Sequence, residues 1–300
     1  MGGKPGGRAR ASRRRAQGSG LLLLLWLSLA ISLEVAGWGP ASLAWAGKLP
    51  SLPFRAAIPG PALGTQPVVS PPSGTWFDPP YRSGQLGYDV SFPQCPGAPG
   101  PQSASFSIIG VNDGLAFTAN PCLVDQWKAA GGRRSVYVNA GYNPDDAGQV
   151  TAGCAALAAK RPGADELRQA YAIGCSEAVY SATLIAQARI RVPLIWIDVE
   201  AMNSWDDVNL DLNRASLQGE VDELGAGGQA VGVYAVLDDW PTIVGDWGPT
   251  DVVADWVALA PDEGQTAEAV CKGTGFSGGP VWLVQRPDTW PSGEDLDQAC

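Results

Sequence analysis

The chain has 300 residues, a formal net charge of −10 at pH 7 and no histidine. Without histidine, Ser-His-Asp and Cys-His catalysis and His-ligated metal sites are excluded, and acid–base work near neutral pH falls to carboxylates, tyrosine, lysine or thiol. Setting aside residues 1–46, with six basic residues and one acid, leaves 14 basic and 29 acidic residues and a net charge of −15, a poor match for nucleic acid.

Residues 1–20 are basic and rich in Gly and Arg, Leu21 to Ile31 form an apolar run, and Ala44-Trp45-Ala46 gives a small-x-small pattern. That order matches the n-region, h-region and cleavage site of a secretory signal, so 1–46 is expected to be a signal peptide. Ser12-Arg13-Arg14-Arg15 suits either a general or a twin-arginine export route. Glu34 and Gly37-Trp38-Gly39-Pro40 interrupt the apolar run short of the roughly 20 residues a membrane span needs, so cleavage is favoured and no stable span is expected to remain. The expected location is extracellular or in the cell wall. Residues 47–83 carry many prolines, from Pro50 to Pro80, and read as an extended linker or as an arm packed loosely on the domain.

The globular domain is expected over 84–300. Gln85 to Phe92 and Phe106 to Val111 read as strands. Asn120-Pro121-Cys122 opens a helix through Trp127, closed by Gly131-Gly132, and Trp127 is expected to pack in the core. Ser135 to Asn139 is a third strand, 143–163 an excursion rich in Ala, Gly and Asp, and Glu166 to Arg189 a helix. The stretch Pro193-Leu194-Ile195-Trp196-Ile197-Asp198-Val199-Glu200 is a strand buried on both faces that ends in two acids. A helix over Asn213 to Leu224, a strand over Ala230 to Val236, a short helix over Asp239 to Val244, and strands over Val252 to Leu259 and Gly279 to Gln285 complete the pattern. Strands alternating with helices predict an α/β fold with a parallel sheet. About seven visible strands fit a (β/α)8-type TIM barrel, irregular and with fewer helices than strands. No GxGxxG turn follows the first strand, which argues against a nucleotide-binding open sheet.

Six cysteines with no CxxC pair suggest disulfides in an exported chain rather than a zinc cluster. Fifteen pairings are possible for six cysteines; local pairing in chain order (95–122, 154–175, 271–300) is the expectation carried forward.

Barrel chemistry sits where strands end at the C-terminal face. Here successive strands deliver Asp89, Asn112, Asn139, then Asp198 with Glu200, then Gln285, followed by Asp295 and Asp297. Asp198 and Glu200 point the same way, roughly 6.6 Å apart along the strand. A structural acid pair held by arginines or backbone amides is the plain alternative. Crowded carboxylates raise one another's pKa, so one can stay protonated as an acid while another is ionised, which glycosidic cleavage requires. Oxygen ligands for Mg²⁺ or Ca²⁺ are the chemical alternative. Nine of the 12 tryptophans follow the leader and favour a sugar ligand, and Trp205, just past the acid pair, is the expected stacking residue.

Gly87-Tyr88-Asp89-Val90-Ser91, Ile195-Trp196-Ile197-Asp198-Val199-Glu200, Val231-Gly232-Val233-Tyr234, Trp256-Val257-Ala258 and Trp282-Leu283-Val284-Gln285 with Asp295-Leu296-Asp297 stand in one order. In that order the chain resembles glycoside hydrolase family 25, the lysozyme-type muramidases, or a related actinobacterial glycoside-hydrolase-like barrel. The resemblance implies an irregular (β/α)-barrel, Glu200 as general acid and Asp198 as its partner or nucleophile. It matches Asp89 to the acid of the first strand, Asp297 to the acid near the last strand with Asp295 as rival, and Tyr234 to a groove aromatic. The implied partner is a cell-wall polysaccharide, peptidoglycan, with no cofactor and no metal. The function expected is therefore a secreted glycoside hydrolase of a β-linked amino-sugar polymer, with catalytic Glu200, Asp198 and Asp89 and substrate contacts from Asp297, Tyr234, Trp205, Gln285, Asn112 and Asn139. A non-catalytic carbohydrate-binding barrel of the cell envelope is the alternative.

Overall fold

The computed structural model describes residues 78–96, 100–101, 103–261 and 264–300; the expected leader and residues 47–77 of the proline-rich stretch lie outside them. Eight strands close a barrel in chain order: β1 (Leu86–Val90), β2 (Phe106–Gly110), β3 (Arg133–Asn139), β4 (Leu194–Asp198), β5 (Ala230–Val236), β6 (Ala254–Ala258), β7 (Val281–Thr289) and β8 (Asp295–Ala299). Between them run α1 (Leu123–Ala129), α2 (Ala152–Ala158), α3 (Asp165–Gln187), α4 (Leu210–Ala226), α5 (Asp239–Val244) and α6 (Ala267–Val270). Strands β1 to β7 are parallel, and β8 is antiparallel to both β7 and β1 where it closes the ring. The irregular α/β barrel expected from the sequence is the fold that forms.

Two elements differ from expectation. The excursion at 143–163 is ordered into a 3-10 turn (Pro144–Gln149) and α2, each opened by a polar cap: Asn143 accepts from Asp145 N and Thr151 from Cys154 N. Beyond the last strand expected from the sequence, which ends at Gln285, Asp295–Ala299 forms an eighth strand, with its backbone paired on both sides.

Side-chain alternation divides the strands into two layers. Outward residues such as Val136, Val138, Ile195, Ile197, Val231 and Val233 form one cluster with Ala178 and Ile185 of α3 and Leu217, Val221 and Leu224 of α4. Inward residues, among them Phe106, Ile108, Leu194, Trp196, Ala230, Trp256 and Leu283, fill the barrel. Burying each large apolar side chain contributes about 1.5–3 kcal/mol. The Trp196 ring lies over Gly232, where a Cβ would come within 2.3 Å of it. Helices α3 and α4 approach almost backbone to backbone, since a Cβ at Gly174 would sit 1.9 Å from the Ser216 carbonyl oxygen.

Tyr81, from the end of the proline-rich stretch, packs on Phe106 with ring centroids 4.5 Å apart, and its hydroxyl bonds Ser135 Oγ at 2.7 Å. The cysteines pair in chain order, Cys95–Cys122, Cys154–Cys175 and Cys271–Cys300. Loops of this length each lose about 3–4 kcal/mol of unfolded-state entropy on cross-linking, in the chain-entropy picture.

Candidate active site

One row of neighbouring residues builds the floor of the site. Asn139 on β3 pairs in register with Asp198 on β4, Asp198 with Tyr234 on β5, and Tyr234 with Trp256 on β6. All four point into the barrel, where Trp256 and Tyr234 also belong to its inward apolar cluster. On the opposite wall Asp89 on β1 lies directly across from Asp295 on β8. Like charges placed opposite each other on antiparallel strands repel. Together with Glu200, these side chains line a cleft of ≈ 500 Å³ that also includes Ser91, Phe92, Asp113, Leu115, Tyr137, Met202, Asn203 and Gln285.

Among the described residues, no lysine or arginine lines this cleft. The five ion pairs among the described residues join Lys128–Asp125, Arg161–Asp222, Arg168–Asp165, Arg214–Asp211 and Arg286–Asp288, none of them cleft residues. The acids are therefore not structural partners of basic side chains, and neutral polar groups surround them instead. Asn139 Nδ2 donates to Asp198 Oδ2 at 2.5 Å. Gln285 Nε2 donates to Asp89 Oδ2 at 2.9 Å. The Tyr234 hydroxyl lies 2.8 Å from Gln285 Oε1 and 3.3 Å from Glu200 Oε1.

Asp89, Asp198, Glu200 and Asp295 titrate above the usual carboxylate range. Burial, then Asp295, pushes Asp89 up to about 7. Burial, then the charges of Glu200 and Asp89, holds Asp198 well above the usual carboxylate range. Glu200 is raised by burial first; a hydrogen bond donated by Tyr234 would lower it, and Asp239 and Asp295 raise it further. Asp295 is raised by burial and by Glu294. Asp198 and Glu200 thus titrate as an interacting pair and cannot both ionise freely.

Six of the nine residues expected from the sequence, Asp89, Asn139, Asp198, Glu200, Tyr234 and Gln285, come together here. Three do not. Trp205 turns away from the cleft: its indole N–H donates to the Glu200 carbonyl oxygen at 2.8 Å, and its ring packs into the layer between helices and barrel. Asn112 is fully buried behind the site, donating to the Thr118 carbonyl and accepting from the Asn139 backbone N–H, so it positions β3 rather than meeting a ligand. Asp297 lies one layer below, fully buried, with Oδ1 accepting from Trp256 Nε1 at 2.9 Å. Its rival Asp295 lines the cleft.

The sequence reading passed over Tyr137, Ser91 and Asn203. The alternation of Ser135, Tyr137 and Asn139 on β3 was the available signal for Tyr137; Ser91 and Asn203 lie beyond strand ends and carried none. Among the described residues the only Cys/Asp/Glu group close enough to share a metal ion is Cys154, Cys175 and Glu223, whose two sulfurs are bonded to each other. No helix among the described residues is long and apolar enough to cross a membrane.

A closed α/β barrel with an acid-lined cleft at the C-terminal ends of its strands is thus the class that fold and site define. Residues 170–277, which include Asp198, Glu200 and Tyr234, match the family model described as Lysozyme-like protein 1, so the resemblance to lysozyme-type proteins read from the motifs is met over that segment. Among solved structures, the chain is similar to the catalytic domain of endolysin ply40 from bacteriophage P40 of Listeria monocytogenes (16% identity, TM-score 0.47, 73% of this chain and 95% of that chain). It is also similar to a muramidase from Acremonium alcalophilum (15% identity, TM-score 0.47, 72% of this chain and 93% of that chain). At these identities and scores no residue role passes from them to this chain. No curated protein matches it in sequence.

Proposed function

We propose that this chain is an exported glycoside hydrolase that cleaves a β-linked amino-sugar polymer, peptidoglycan, with Glu200 as general acid and Asp198 as its partner. The observation that carries this reading is the placement of Asp198, at the end of β4, and Glu200, two residues beyond it, in one cleft with neighbouring acids and, among the described residues, no basic side chain. Glu200 is only partly buried and so can reach a glycosidic oxygen, while its raised pKa keeps a proton available to give. Asp198 is more deeply set and held by Asn139. Asp198 Oδ1 and Asn139 Oδ1 are buried acceptors with no partner among the described residues. The acetamido N–H of an amino sugar is a donor that suits them, and a donor at Asp198 favours its ionised form. Asp89, Asp295 and Gln285 line the wall of the same cleft and suit sugar hydroxyls. Cleavage of a leader over 1–46, with 47–83 linking the domain to the envelope, completes the reading.

The test is digestion of peptidoglycan and other glycans by the purified mature protein, with product analysis. New reducing ends are expected from the native protein and not from Glu200→Gln, which removes the titrating proton with little change in shape. Equal clearing by the two proteins overturns the role of Glu200. Saturable glycan binding without new reducing ends identifies a carbohydrate-binding barrel, and activity abolished by chelator identifies a metal-dependent hydrolase.

A further inference from the structure

The cleft holds a chain of hydrogen bonds whose direction is set from one end. Gln285 faces Asp89 with its Nε2, at 2.9 Å from Oδ2. While Asp89 is ionised, or carries its proton on Oδ1, the reverse orientation would set an amide oxygen against a bare carboxyl oxygen, so in those states this amide is pinned. Its Oε1 is then necessarily an acceptor, and the group it meets is the Tyr234 hydroxyl at 2.8 Å. A hydroxyl carries one proton. Given to Gln285, that proton is no longer available to Glu200, whose Oε1 lies 3.3 Å from the same oxygen. Tyr234 Oη can then only accept, and the Glu200 contact is a hydrogen bond only when Glu200 is the donor.

We propose that Asp89, Gln285 and Tyr234 form a one-way hydrogen-bond chain that leaves Tyr234 Oη as an acceptor and so holds Glu200 in its protonated form. Gln285 and Tyr234 act here as positioning residues for a proton. The proposal rests on the reading of Glu200 as the general acid, and gives that reading a cause beyond burial. Other groups facing Glu200 contribute as well. Asp239 of α5 and Asp295 of β8 raise it; Asp89 of β1, Asp198 of β4 and Tyr137 of β3 interact with its charge, and Asp113 lines the same cleft. They act through charge without direction. The chain differs because its effect reverses when Gln285 is lost: the Tyr234 proton is freed, turns to Glu200 and stabilises the carboxylate instead.

That reversal gives an ordering of variants that charge and burial do not. The Glu200 carboxyl is followed by carbon-13 NMR titration of the folded mature protein, alone and as Gln285→Met, Tyr234→Phe and the double variant, alongside the pH dependence of glycan cleavage. Glu200 is expected to titrate highest in the native protein. Gln285→Met lowers it by about one pH unit, the size of one redirected hydrogen bond. Tyr234→Phe lowers it less, because the carboxylate gains no donor, and the double variant follows Tyr234→Phe, above Gln285→Met. The alkaline limb of activity moves in the same order. A titration unchanged or raised in Gln285→Met overturns the chain, even if Glu200→Gln abolishes cleavage. The predicted titration order without any cleavage upholds the chain and removes the enzymatic reading. If Gln285→Met fails to fold, Tyr234→Phe, which keeps the ring, decides alone: no fall in the Glu200 titration overturns the chain.

Discussion

The barrel holds two sets of buried acids, and they differ in what surrounds them. In the cleft, Asp89, Asp198 and Glu200 each meet an aligned neutral polar group, Gln285, Asn139 and Tyr234 respectively. On the packed pair α3 and α4 outside the barrel wall, Glu177 and Glu220 are almost fully buried. Among the described residues, Glu177 accepts only from the Gly141 N–H at 3.3 Å, and neither oxygen of Glu220 has a hydrogen-bond partner. Both acids are held well above the usual carboxylate range, by burial first. Burial and a raised pKa are therefore common to the two sets. What separates a candidate site from a sealed pair is access to a cleft and donors arranged around the carboxyls.

The largest effect expected from this contrast is on activity. Glu200→Gln is expected to lower glycan cleavage by about 10²–10⁴-fold with the fold intact, read as released reducing ends and circular dichroism. Asp198→Asn is expected to lower it by about 10²-fold, since it removes an electrostatic partner and not the proton donor. Glu220→Gln, at a carboxyl more deeply buried and held higher than Glu200, is expected to leave cleavage unchanged. If Glu220→Gln lowers activity as far as Glu200→Gln, the two sets are not functionally distinct.

Next comes pH. A carboxyl whose pKa is raised on folding binds its proton more tightly in the native state, so its contribution to stability is full below the unfolded value near 4 and is lost as pH rises through the folded value. With Asp255 raised to about 6 and Asp89 to about 7, each by burial first, thermal stability should decline between about pH 4 and 7. A melting temperature that rises steadily across that range would contradict the protonated state of these acids.

Smaller effects concern single contacts. Glu220→Leu replaces an unpartnered buried carboxyl with an apolar side chain and is expected to stabilise by about 1–3 kcal/mol in denaturant unfolding, most clearly at alkaline pH. Trp205→Phe removes one hydrogen bond to the Glu200 carbonyl, and is expected to cost about 1 kcal/mol of stability while leaving glycan affinity unchanged. Loss of glycan affinity in that variant would restore Trp205 as a ligand contact.

Much of this molecule was legible in the amino-acid order. The apolar run of β4, its two acids at period 2, the breakers around each strand and the alternation with helices are local signals, and they carry the barrel class and the pairing of Asp198 with Glu200 on one face. Local pairing of the cysteines followed chain order as well. The eighth strand was not legible, because Asp295-Leu296-Asp297-Gln298-Ala299 is polar and becomes a strand only when β1 and β7 lie ready on either side. Which of its two acids lines the cleft was equally hidden. Asp295 and Asp297 share a face, and only the register against β1 sets Asp295 opposite Asp89 and Asp297 opposite Gly87, one layer lower. Trp205 and Asn112 follow the same rule: each stands just past a strand end, where side-chain direction depends on what the loop packs against rather than on period. Periodicity determines which residues share a face along one strand. Depth in the barrel, and the neighbour across the sheet, come from register between strands far apart in sequence, and only the tertiary structure decides that.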